Sequence, residues 1–257
     1  MSYRERYLAF VFIVSALVIL LVSSFAWIND DQPLLSGIGV TTAPVSALLM
    51  GVIGLWFFGR EDFRREDRFH LMNIFFSLGL VLYSISEIAA SLLASQEGSE
   101  AYLFTVSLIQ MPGLILWAIG VLGYLRASNS VLQTTNDNRL VGIMIIAPTA
   151  AMLLLASLVM IFNPTRNPID VFTTAPLAIG MGVIALALGY VLLVFRGGRL
   201  SRPLGLAFLA ILVLTIQIVL WCCIALSPVE PLGQVVRAEA YIILGTALTA
   251  AKSIELF

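Results

Sequence analysis

The chain of 257 residues is 60% hydrophobic and only 11% charged, whereas a soluble domain carries roughly a quarter of charged residues. Its mean hydropathy of +1.01 implies more apolar surface than a globular core of this size could bury. The net charge of -1 argues against a nucleic-acid partner, which would require a basic face. A single histidine, His70, gives no basis for a bis-histidine haem or a histidine-rich metal site, so no cofactor and no metal are predicted.

Eight apolar segments follow one another along the chain, and each is long enough to be read as a membrane span. They cover residues 7–28, 42–58, 70–94, 100–125, 140–162, 174–195, 204–226 and 237–257. A helix of about 20 apolar residues crosses the hydrocarbon and satisfies its own backbone there. The first segment is too long for the apolar part of a signal peptide, so we interpret it as a retained span. The sequence therefore predicts an all-α, polytopic membrane helix bundle of about eight transmembrane helices.

Basic residues predict the orientation of these helices, because cytoplasmic loops carry an excess of Lys and Arg. With the N-terminus inside, twelve of the fourteen basic residues fall on the inner side, and only Arg166 and Arg237 fall outside. This distribution predicts a multi-pass protein of the cell membrane with both termini in the cytoplasm.

Two sequence motifs occur twice and predict an internal repeat. Thr-Thr-Ala-Pro at residues 41–44 recurs at 173–176, and each copy is followed shortly by Met-Gly-Val-Ile. Threonine suits a helix cap and proline the first turn of a helix, so the motif is interpreted as a helix start. The second motif, Glu-Ala-Tyr, stands at residues 100–102 and 239–241.

The repeated motifs divide the chain into two tandem four-helix units. The predicted units are residues 1–126 and 140–257, joined by a cytoplasmic linker at 127–139. Because four is an even number, both units enter the membrane in the same sense, which predicts a parallel pseudo-two-fold axis along the membrane normal.

Glu87 is the one acidic residue placed well inside a predicted span, and an ionised carboxylate there is costly unless it is paired, neutral or hydrated. Ser84 and Ser91 share its helix face, while Gln110 and Gln217 lie near the middle of the fourth and seventh spans. The functional interpretation is a substrate or coupling site in a polar pathway. The alternative is a packing seam of small residues, in which Glu87 makes a local hydrogen bond.

A second candidate site lies at the predicted outer face, where Glu100, Tyr102, Arg237, Glu239 and Tyr241 come together in the sequence pattern. These residues could bind a charged molecule. The competing interpretation is structural, because acids favour the first turn of a helix and tyrosines favour the membrane interface.

Two functions of different classes fit these patterns. The short loops and the few polar residues inside the spans favour a non-enzymatic membrane sensor or partner-binding module. The repeat, the proline in the fourth span and Glu87 instead favour a small transporter or channel with a polar site around Glu87. A lipid-modifying membrane enzyme comes third, because no catalytic motif is present and no catalytic residue is predicted. The predicted surroundings are the lipid bilayer, and the sequence identifies neither a protein partner nor a small-molecule ligand.

Overall fold

The computed structural model describes residues 3–59, 67–94, 101–132, 137–162, 168–224 and 230–255. At some helix ends within these ranges it describes the backbone alone. These residues form eight α-helices and no strand. In chain order the helices are α1 (Tyr3–Ile28), α2 (Gln32–Phe58), α3 (Arg68–Ala94), α4 (Ala101–Leu132), α5 (Asp137–Phe162), α6 (Pro168–Val194), α7 (Ser201–Ile224) and α8 (Glu230–Glu255).

Seven of the eight helices, α1 to α7, are long and apolar enough to cross a membrane. The predicted class, an all-α polytopic membrane bundle of about eight helices, is confirmed. Helix α8 is of similar length but carries Arg237, Glu239 and Lys252. It packs along α2 and α7 and contacts α1, and Arg237 and Glu239 are buried among these neighbours.

Six helices form a closed ring in which each packs along the next, in the order α2, α3, α4, α6, α7 and α8, and α8 returns to α2. The remaining two lie outside this ring: α1 against α8 and α2, and α5 mainly against α6. They are the least buried spans, with 11% and 22% of their most apolar stretches covered. Their exposed leucine, isoleucine and valine side chains suit a hydrocarbon environment.

The order of neighbours is similar in the two predicted units. The first helix of each unit, α1 or α5, is peripheral, and the other three follow one another in the ring. The duplication itself stays a prediction. Helices α4 and α5 also extend into the predicted linker, so that only residues 133–136 separate them.

The interpretation of Thr-Thr-Ala-Pro as a helix start is wrong. Pro44 and Pro176 lie inside α2 and α6 rather than in the first turns. Thr41 does not cap amides; its hydroxyl donates to the backbone carbonyl of Gly37 at 2.7 Å, four residues earlier in the same helix. The cap of α2 is Asp31, whose carboxylate accepts a hydrogen bond from a first-turn backbone amide.

Candidate functional site

A buried charged cluster joins α3 to α8 and consists of Glu87, Arg237 and Tyr241, hereafter the Glu87 cluster. The hydroxyl of Tyr241 donates a hydrogen bond to Oε1 of Glu87 at 2.8 Å. The Nη1 atom of Arg237 lies 3.3 Å from the same oxygen. Only 2% of Glu87 is exposed, and Tyr241 is fully buried. The carboxylate therefore contacts a cation and a hydroxyl donor inside the protein.

Helix geometry explains how two residues of α8 reach one carboxylate. Arg237 and Tyr241 are four residues apart, so their side chains project from the same face of the helix. Helices α3 and α8 both pack along α2 and touch each other over only a short region. The Glu87 cluster is thus a bridge between one residue predicted for the mid-membrane site and two predicted for the outer site.

Aromatic rings line the cluster on the α3 and α4 side. The ring of Tyr83 stacks on Trp117, with centroids 4.6 Å apart, and packs at 6.1 Å from the ring of Tyr241. Trp117 is fixed in turn by a hydrogen bond from Nε1 to the carbonyl oxygen of Phe76 at 3.1 Å. Sequence reasoning missed Tyr83 and Trp117, although Tyr83 precedes Glu87 by four residues and so shares its helix face.

The electrostatic consequence follows from this burial. A charge inside the bilayer costs about 2.5 to 3.5 kcal/mol on insertion scales, and two opposite charges in contact offset much of that cost. Because both side chains are buried, the attraction between Glu87 and Arg237 is screened less than that of a surface pair. The hydroxyl of Tyr83 is buried beside the cluster and has no hydrogen-bond partner among the described residues.

The serines of the predicted polar stripe bond within their own helix. The Ser84 hydroxyl donates to the carbonyl oxygen of Val81 at 2.7 Å, and the Ser91 hydroxyl donates to that of Glu87 at 2.9 Å. Each hydroxyl is thus satisfied by a carbonyl oxygen three or four residues earlier in its own helix. This arrangement favours the packing interpretation of the stripe.

The two predicted amides are not equivalent. Gln110 is buried in α4, and no hydrogen bond joins it to Glu87 in the described part of the chain. Gln217 faces α8, because a Cβ added to Gly233 would lie 3.3 Å from its Nε2 atom. Its Oε1 atom is buried without a hydrogen-bond partner among the described residues. Since Gly233 precedes Arg237 by one turn, Gln217 approaches α8 between the Glu87 cluster and the start of α8.

The predicted outer site is divided by the structure. Glu239 is buried, and one of its carboxylate oxygens has no hydrogen-bond partner among the described residues. It is two residues from both Arg237 and Tyr241 and therefore points to a different side of α8. Glu100 lies outside the described residues, and so does the side chain of Tyr102.

The structural interpretation of the second Glu-Ala-Tyr copy is wrong. Helix α8 begins at Glu230, so Glu239 is not in its first turn. Tyr241 is fully buried and bound to Glu87, so it is not an interfacial aromatic residue. The apolar segment read from the sequence began too late, because the polar residues before it are also helical.

Fold and site together define an integral membrane protein, a helical bundle with a buried ion pair between two of its helices. No group of three His, Cys, Asp or Glu side chains in the described residues is close enough to hold a metal ion. Comparison with known proteins finds no matching family model, no matching curated protein and no matching solved structure. The interpretation of the site therefore rests on its geometry.

Proposed function

We propose that this chain is a non-enzymatic membrane sensor or partner-binding module in which the Glu87 cluster holds α3 to α8. The observation that carries the proposal is the pairing of Glu87 with Arg237 and Tyr241 in a site that is 2% exposed at the carboxylate. A coupling acid in a transporter must be reached by water or ions from each side in turn. The carboxylate of Glu87 is instead paired with the guanidinium of Arg237, a permanent cation of the same chain.

A sensor also needs an element with two arrangements of similar free energy. Helices α3 and α8 touch over a short region, and the Glu87 cluster lies within it. Separating them would break one ion pair, one hydrogen bond and the contact between the rings of Tyr83 and Tyr241. The long contacts of both helices with α2 would remain. This supports a contact with two states, in which the Glu87 cluster holds α3 and α8 together and acts as a latch. A signal or partner would break this contact or stabilise it.

The latch is tested by a distance measurement between α3 and α8. Ile88 and Val236 are exposed residues next to Glu87 and Arg237. Spin labels at these two positions report the distance between α3 and α8 and leave the residues of the cluster unchanged. Both positions are changed to cysteine, after replacement of Cys222 and Cys223, in lipid nanodiscs. We expect one distance in the otherwise unchanged protein and a second, longer one when Glu87→Gln is added.

The matched control is Ser84→Ala, one turn away on the same helix face, which removes a hydroxyl bonded only to its own helix. It should leave the distance distribution unchanged. If Glu87→Gln also leaves it unchanged, the cluster is no latch and the proposal fails.

A transporter or channel remains the second candidate because several buried polar atoms on or near α8 have no hydrogen-bond partner among the described residues. They include the hydroxyl of Tyr83 and Oε1 of Gln217, which a water molecule or a polar substrate could satisfy. Ion flux into proteoliposomes separates the two functions. The sensor module predicts proton, sodium, potassium and chloride fluxes equal to those of protein-free liposomes. A flux that Glu87→Gln abolishes would establish transport instead.

A further inference from the structure

A basic cavity of about 790 Å³ opens at the end of the bundle where α1 and α7 begin and α8 ends. Its charged lining comes from two separate parts of the chain: Arg6 from α1, and Arg199 and Arg202 from the turn before α7 and its first residues. Ser201 and Ser253 add hydroxyl groups. The three arginines therefore come from two separate segments of the chain and are not a run along one helix.

The charge of this cavity is not balanced by the residues that line it. None of its described lining residues is acidic, and Arg6, Arg199 and Arg202 form no ion pair with an acidic side chain that the structure describes. Positive charges gathered in one cavity repel each other, and a bound anion removes that repulsion. Guanidinium groups match the oxygens of a phosphate in a bidentate geometry, which makes arginine well suited to phosphate recognition.

The position of the cavity relative to the spans points to the source of the anion. The apolar span of α1 starts at Arg6 and that of α7 at Ser201, so the cavity lies where the hydrocarbon ends. Lipid phosphates occupy this level. The arginine distribution predicts that this end faces the cytoplasm, where anionic lipids attract basic residues.

The turn between α6 and α7 shapes the cavity wall. Gly197 has a φ of 85°, a left-handed conformation that glycine adopts without steric cost. The chain then turns back so that Ser201 begins α7, its hydroxyl donating to the carbonyl oxygen of Gly198 at 2.7 Å. The positive end of the α7 dipole thus adds to the field of the three arginines.

A smaller cavity of about 330 Å³ lies between the start of α3, the second half of α4 and the start of α5. It is lined by Arg68 at the start of α3, Arg126 of α4 and Val141 of α5. In the predicted repeat, α3, α4 and α5 correspond to α7, α8 and α1. Arginines therefore line two cavities at the same end of the bundle, at positions that the predicted repeat relates to each other.

We propose that the basic cavity binds the phosphate group of an anionic phospholipid from the leaflet it faces. Arg6, Arg199 and Arg202 hold the phosphate oxygens, and the lipid chains lie along the neighbouring apolar helices. This inference does not depend on the function proposed for the Glu87 cluster.

The experiment measures lipid binding by native mass spectrometry of the full chain in detergent, with phosphatidylglycerol and phosphatidylcholine added in parallel. The test variant is Arg199→Gln/Arg202→Gln. The matched control is Arg139→Gln/Arg196→Gln, which removes two exposed arginines from the same end of the bundle, neither of which lines the cavity. We expect the test variant to bind phosphatidylglycerol about 30-fold more weakly than the unchanged chain, and the control less than about threefold.

A second arm separates a lipid from a soluble anion as the source of the phosphate. Inorganic phosphate is added without lipid, and its binding to the unchanged chain and the test variant is compared. Preference for phosphatidylglycerol over both phosphatidylcholine and inorganic phosphate, lost in the test variant alone, supports the proposal. Tight binding of inorganic phosphate without lipid preference would overturn the lipid source. Equal loss of phosphatidylglycerol in both variants would overturn the site.

Discussion

Arg237 carries a permanent charge into the interior of the bundle, and Glu87 is the acid that compensates it at 3.3 Å. A buried ion pair is weak evidence for net stability, since desolvation offsets much of the attraction. Losing one member is costly, because the buried charge of the other then loses its contact with the opposite charge. The pair is therefore best probed by comparing single and double substitutions.

We expect Glu87→Gln and Arg237→Gln each to lower the free energy of unfolding by about 3 kcal/mol, because each removes the opposite charge that the other side chain contacts at 3.3 Å. The double variant should cost less than the sum by about 2 kcal/mol, because it removes both charges of the pair together. The measurement is reversible unfolding in mixed detergent micelles. Additive losses would mean that the two side chains do not interact in the membrane.

The two tyrosines beside Glu87 give a second test, since the same substitution should act differently at each. Tyr241→Phe removes a buried hydrogen bond to a carboxylate and should cost about 1.5 to 3 kcal/mol. Tyr83→Phe removes a buried hydroxyl without a partner among the described residues and should be neutral or stabilising. Each variant keeps its ring, so each controls for packing at the other. Equal losses in the same unfolding assay would place an unseen partner on the Tyr83 hydroxyl.

Among the helices, α2 owes its close approach to α3 and α8 to glycine. A Cβ at Gly54 would collide with the Ser77 hydroxyl on α3 and lie 2.8 Å from Leu248 on α8. No such restriction applies to Gly37 on the same helix, where a Cβ would meet nothing within 4 Å. The first glycine is required by packing, whereas the second only lowers helix propensity.

We therefore expect Gly54→Ala to destabilise the protein by about 1 to 3 kcal/mol through overpacking. The control, Gly37→Ala, should stabilise it by about 0.5 to 1 kcal/mol because alanine favours the helix. Thermal unfolding in nanodiscs measures both. A loss at Gly37 as large as that at Gly54 would show that backbone freedom, not contact between helices, is what matters in α2.

Sequence patterns predicted the helices well and their ends poorly. Apolar runs locate the spans because a helix that crosses the hydrocarbon must be long and apolar, and seven helices meet that condition individually. Helix starts were missed at residues 41–44 and 239–241 because polar residues outside the apolar run are helical as well. Apolar periodicity gives no information about such extensions, which depend on neighbouring helices and on caps such as Asp31.

For the whole molecule, the arrangement of helices could not be read from the sequence. Glu87 and Arg237 were both singled out, yet in two separate sites, because 150 residues separate them and α3 and α8 are not consecutive. Only the closed ring, in which both helices pack along α2, brings them together. The exposure of α1 and α5 likewise depends on this arrangement, since their own apolar patterns resemble those of the ring helices.

The orientation of the bundle is predicted by its arginines and can be tested by labelling in intact cells. Asn29→Cys lies in the turn between α1 and α2, and Gly198→Cys in the turn between α6 and α7, at opposite ends of the bundle. In a chain without Cys222 and Cys223, a membrane-impermeant maleimide should label Asn29→Cys alone. Both should react after the cells are opened, which controls for accessibility. Labelling of Gly198→Cys alone in intact cells would invert the predicted topology.

The pairing between α3 and α8 also bears on how the protein is made. During synthesis α3 precedes α8, so Glu87 is expected to enter the membrane before Arg237, the residue that pairs with it. Helix α8 is the one helix of the described chain whose own composition is not that of a membrane span. Its entry is expected to depend on helices already in place, with the earlier acid as a docking point. We therefore expect that loss of Glu87 would first lower the amount of correctly inserted protein, because misassembled chains are degraded by membrane quality control.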